Sequence, residues 1–141
     1  MSRRFLLRGL AVWPALPVLA VLNGLLREYV LAPLLGPAAL PLSGALLATL
    51  VLAASAAFLA LTRLPRTSRD LWLLGGLWAG LAVVFEVVLF GVIPGPDPGT
   101  GAPLAELIAA FDPSGGNLFA LVIAATAAGP RLMDPLVARF R

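Results

Sequence analysis

The sequence predicts an all-α integral membrane protein: a four-helix bundle built as a tandem, parallel duplication of a helical hairpin, with a short amphipathic interfacial helix between spans 3 and 4. Three observations predict it. Of the 141 residues, 60% are hydrophobic and 12% charged, with a mean hydropathy of +0.99; a soluble domain has about 45–50% apolar and about 25% charged residues. The apolar residues form long runs divided by short Arg- or Pro/Gly-bearing stretches. Two of the runs match each other without a gap. The expected organisation is a single transmembrane domain, 1–141, with repeat halves at about 9–64 and 68–137.

A helix needs about 20 mostly apolar residues to cross a hydrocarbon core of about 30 Å. Four segments reach that length, at about 10–31, 42–61, 71–93 and 114–133. Without a closed barrel, only helices satisfy their own backbone in lipid. Ser43, Ser68 or Asp70, and Ser114 are the expected N-caps, and Pro65 and Pro94 follow two of the ends. The opening "MSRRFLLRGLAVWPALPVLA" has the outline of a signal peptide, but no A-x-A site follows, so an uncleaved first span is expected.

Arginine sets the orientation. Arg3, Arg4 and Arg8 precede the first span, Arg63, Arg66 and Arg69 join the second to the third, and Arg131, Arg139 and Arg141 close the chain. The opposite loops carry no base, and the second holds Asp97, Glu106 and Asp112. The positive-inside rule therefore places both termini in the cytoplasm. The net charge of +3 belongs to this pattern and gives no reason to expect nucleic acid as a partner.

Over 43–57 and 114–128 there are nine identities in fifteen, "SGALLATLVLAASAA" against "SGGNLFALVIAATAA". In the preceding spans, "REYVLAPLLGP" and "FEVVLFGVIPGP" each set a glutamate ahead of an apolar stretch ending in Gly and Pro, making Glu28 the counterpart of Glu86. Tandem two-span units keep one orientation, so the repeat axis lies along the membrane normal. The second half carries an extra loop in which Leu104, Leu107, Ile108 and Phe111 recur at helical spacing. This segment is expected to lie at the outer interface or to fold over the bundle mouth.

Charge inside the spans is the candidate site. Glu86 stands about 15 residues into the third span, about 22 Å along a helix at 1.5 Å per residue. Gly75, Ala79 and Ala82 lead up to it along one face, a small-residue track of the kind that lets helices approach closely. In the first span Asn23 and Arg27 are i, i+4 neighbours, with Glu28 on the adjacent face. A charge at the bilayer centre costs about 2.5–3.5 kcal/mol, and such residues pair, face the bundle interior and mark function. The expected arrangement is an Arg27–Glu86 pair across the two halves, with Asn23 and Glu28 completing the network. The competing expectation is that Arg27 and Glu28 snorkel to the outer headgroups.

These residues resemble a group of small, uncharacterised bacterial inner-membrane proteins with four helices. The matching pattern is N-G-x-x-R-E in the first span, F-E in the third, an aromatic-acidic pair in the loop, and G-x-L-aromatic opening the fourth. It falls here on Asn23, Gly24, Arg27, Glu28, Phe85, Glu86, Phe111, Asp112, Gly116, Leu118, Phe119 and Pro130. The family usually has Trp where Leu104 stands, Tyr at Phe111 and a basic residue at Asn117. The resemblance implies that the polar cluster is a shared feature, and it implies no activity.

Three functional readings follow. A small transporter or channel, expected as a homodimer or larger membrane assembly, would use Glu86 to switch between a proton and Arg27, since desolvation and a neighbouring cation act on a carboxylate in opposite senses. A structural or accessory subunit would use the buried charges to set helix register and its small-residue faces to dock a larger complex. An enzyme acting on lipid or quinone is disfavoured, because no nucleophile–base pair, nucleotide loop or metal motif is present. With neither His nor Cys in the chain, no cofactor or metal is expected.

Overall fold

The computed structural model describes residues 2–92 (side chains to 88), 108–109 and 111–140. Regular structure among these residues is all helical. Three helical runs are long and apolar enough to cross a membrane: Arg3–Leu61, Ser68–Val88 and Phe119–Arg139.

The first run is a succession of pieces. Helix α1 (Arg3–Val12) is capped by Ser2, whose hydroxyl accepts from the Phe5 amide at 3.2 Å. It gives way at Trp13–Pro14 to α2 (Ala15–Leu26), where proline withholds its N–H. A π turn follows (Arg27–Leu31), then α3 (Ala32–Leu35). Pro33 accounts for the wide turn: it has no amide for the Tyr29 carbonyl, so the helix changes register just ahead of it. The stretch expected as a single span at 10–31 is thus longer and jointed.

Gly36 then turns the chain back. Its φ of 55° lies in the left-handed region that glycine adopts at least cost. A 3₁₀ turn (Gly36–Ala38) leads into α4 (Ala39–Leu61), which runs antiparallel to α2: Asn23 meets Ser43, while Leu16 and Val51 line one cavity further along. Ser43 is therefore a buried residue within α4 and not its cap.

Helix α5 (Ser68–Val92) starts with a capping box. The Thr67 hydroxyl accepts from the Asp70 amide at 3.3 Å and the Asp70 carboxylate accepts from the Thr67 amide at 2.9 Å, so Thr67, not Ser68, holds the cap position. Ser114 lies in a 3₁₀ turn (Pro113–Gly115), outside the last helix. That helix, α6 (Phe119–Arg139), begins where the Asn117 side chain accepts from the Phe119 amide at 3.0 Å. It continues through Pro130 and Pro135 to Arg139, beyond the limit expected from hydropathy.

Helix α6 is the hub, packed most extensively on α4 and then on α5. Gly44 abuts Leu118 and Gly129 abuts Ser55, contacts that ascend together, so α4 and α6 run parallel. A side chain on Gly75 would collide with the Ala127 carbonyl, which marks the closest approach of α5 to α6. The expected small-residue track is thus used inside the chain, with Gly75 and Ala79 buried and Ala82 half-buried.

The arginine-bearing end is sealed by aromatic packing. The Phe58 ring lies 5.6 Å from Phe5 and 5.5 Å from Trp78. The Trp78 indole donates to the Gly9 carbonyl at 3.0 Å, and the Trp13 indole donates to the Trp78 carbonyl at 3.2 Å. Nearby, Arg66 bonds Asp134 of α6 at 2.7 Å and donates to the Thr62 carbonyl at 3.0 Å. Arg66, expected only as an orientation charge, clamps the α4–α5 connection to α6.

Candidate functional site

At the opposite end the helices part around a cavity of about 380 Å³. Its polar lining consists of Asn23 from α2, Arg27 from the π turn, Ser43 from α4, Glu86 from α5 and Asn117 from the approach to α6. Phe85, Leu118, Phe119 and Val122 supply apolar wall. A smaller cavity, about 80 Å³, shares Phe85, Glu86 and Phe119 and continues toward Leu16, Val51 and Thr126. Polarity therefore falls with depth, and the inner end meets the core around Val51 and Val122.

Each polar group is positioned by a local feature. Asn23 is 6% exposed and ties α2 to α4: its Nδ2 donates to the Ser43 carbonyl at 3.1 Å and to the Ser43 hydroxyl at 2.8 Å. The carbonyl can only accept, which fixes the amide's orientation. The Asn23 Oδ1 is left buried without a hydrogen-bond partner. Arg27 opens the π turn, one helical turn above Asn23, and is half-buried at the cavity wall. Such wide turns recur at functional sites.

The expected cluster is only partly assembled. Asn23, Arg27 and Glu86 line one cavity, but no ion pair joins Arg27 to Glu86, and among the described residues neither has an ion-pair partner. The two charges face a common space without closing on each other. Glu28 does not take part, because the helix turns its side chain to the exposed outer surface, where Tyr29 is 74% exposed. Of the four, Glu28 alone is exposed.

Leu104 and Leu107 of the expected interfacial helix lie outside the described residues. Ile108 is helical and exposed, while Phe111 sits in a turn with its ring edge-on to Phe119, 5.0 Å away. Phe111 therefore braces a wall residue of the cavity. Asp112 caps the following turn by accepting from the Ser114 amide at 2.9 Å, and this bond holds its carboxyl below the ordinary carboxylate range.

Sequence reasoning did not single out Ser43 or Asn117 as members of the site. Ser43 was readable only as a cap because α4 was expected to start beside it, and Asn117 stood out only as a departure from a basic residue. Comparison with protein-family models, with curated proteins and with solved structures gives no match.

Proposed function

We propose that the chain is a multi-pass protein of the bacterial inner membrane that crosses four times with both termini in the cytoplasm, and that it works as a small transporter or channel through the Arg27–Glu86 cavity. The observation that carries this reading is the cavity itself. Two opposite charges, from separate apolar helical runs, face one space and are not neutralised by each other. Charges held at such expense in apolar helices mark pathways and binding sites.

The membrane part rests on the exposed surface. Val18, Leu22, Leu25, Val84, Val88 and Leu121 all present apolar side chains outward from their helices, an arrangement suited to lipid rather than water. The reversal at Gly36 divides the first run into two arms of crossing length, which gives four crossings, and the arginines then set their direction. A parallel duplication is supported by matched details in α4 and α6. Ser55 donates to the Val51 carbonyl and Thr126 to the Val122 carbonyl, each buried and four residues back. Ser43 and Ser114 diverge, one buried in a helix and one exposed in a turn.

The open polar end and the aromatic seal at the arginine-bearing end together describe a vestibule reached from outside. A homodimer or larger assembly would be needed to carry the pathway through the sealed half, since four helices make a narrow bundle. The accessory-subunit alternative has less support, because Gly75 packs on α6 and Ala79 is buried within the chain. Proteoliposomes loaded under a proton or cation gradient test the reading: Glu86→Gln abolishes the flux, and unchanged flux from an intact variant counts against it.

A further inference from the structure

We propose that the cavity binds a zwitterion, its oxyanion held by Arg27 and Asn117 and its ammonium held by Glu86. This rests on the reading of the cavity as the working site and adds the class of ligand.

The donors and acceptors divide by type. Arg27 brings a guanidinium, which offers a planar fork suited to carboxylate or phosphate. The Asn117 Oδ1 already accepts one hydrogen bond, from the Phe119 amide, and its NH₂ adds a donor. Glu86 is the acceptor on the same cavity wall. A singly charged guest would leave either the arginine or the glutamate unanswered. A guest carrying both charges answers each of them. The size agrees, since about 380 Å³ falls in the range of about 300–1,000 Å³ for small-molecule sites. Phe85 and Phe119 give a short apolar portion a surface to lie on.

Such a guest has two sources, a free small zwitterion or the headgroup of a zwitterionic lipid entering from the bilayer. The test uses the full chain in phosphatidylglycerol nanodiscs with calorimetric titration of three probes. Glycerophosphoethanolamine carries both charges, glycerol 3-phosphate only the anion and ethanolamine only the ammonium. The first binds at least about tenfold tighter than either of the others. Arg27→Gln brings its affinity down to that of ethanolamine, and Glu86→Gln brings it down to that of glycerol 3-phosphate. Arg27→Lys and Glu86→Asp keep the charges and keep a preference of at least about twofold, separating lost recognition from lost folding.

A parallel arm extracts the protein from mixed phosphatidylethanolamine and phosphatidylglycerol liposomes for native mass spectrometry. Retained phosphatidylethanolamine that disappears in Arg27→Gln and Glu86→Gln assigns the lipid headgroup; soluble binding without it assigns a free zwitterion. Absence of any preference for the doubly charged species in both arms overturns the proposal. If flux stays dependent on Glu86 in that case, the transport reading stands alone. Charge-dependent binding without flux means the reverse.

Discussion

At the residue scale, Asn23 shows how one side chain does two jobs. Its NH₂ fastens the first arm to α4 through Ser43, and the residue also lines the cavity. Ser43→Ala removes one of the two bonds and keeps the carbonyl acceptor. It is expected to lower stability by about 0.6–1 kcal/mol, the ordinary range for hydrogen bonds between membrane helices, measured by reversible unfolding in mixed detergent. Asp112 gives a pH-dependent counterpart. Its folded-state pKa is depressed by the Ser114 amide, so the turn gains stability from ionised Asp112 above the ordinary value of 3.8 and loses it as pH falls through the lower, folded value. A carboxyl-carbon NMR titration should place the Asp112 midpoint below 3.8, and Asp112→Asn should remove the acid-dependent loosening of the 113–115 turn.

At the element scale, the closest helix contact is α5 against α6 at Gly75. Gly75→Ala forces a methyl group into the Ala127 carbonyl and should cost about 1–3 kcal/mol, as overpacking does. Gly76→Ala and Gly80→Ala enter open space and should be neutral or stabilising by up to about 1 kcal/mol, because alanine loses less backbone freedom in a helix. Thermal unfolding of the three variants checks both statements. Much of this scale was legible beforehand. Gly75, Ala79 and Ala82 declared a close contact by their spacing, and hydropathy located the second arm and α5 to within a few residues. The jointed first arm was less legible, since hydropathy averages over Pro14, Gly36 and the π turn, all of which act on the backbone. The partners were not legible at all: Asn23 with Ser43, and Arg66 with Asp134, lie far apart in sequence.

At the scale of the whole molecule, the two ends differ in chemistry. One is closed by Phe5, Phe58, Trp78 and the Arg66–Asp134 bridge; the other opens between Arg27, Glu86 and Asn117. The charged residues of the site could be named from sequence because charge is rare in apolar helices. Their mutual placement depended on helix rotation, which turned Glu28 outward and left Arg27 and Glu86 apart across a cavity. The proposed orientation is open to a clean test because the chain contains no native cysteine. Pro37→Cys should react with a membrane-impermeant maleimide on intact cells, whereas Ser2→Cys and Phe140→Cys should react only after the membrane is opened. Labelling of all three from outside, or of none, contradicts the topology.

The contrast between the two glutamates bears most directly on function, since both lie in apolar helical runs and only one faces the cavity. Gradient-driven flux should be measured in proteoliposomes for Glu86→Gln and Glu28→Gln at matched protein content. A loss of at least about tenfold for Glu86→Gln, equivalent to about 1.4 kcal/mol, with Glu28→Gln within about twofold of the unmodified chain, is the predicted result. Equal effects of the two substitutions, or a larger effect at Glu28, would contradict the assignment of the cavity as the working site.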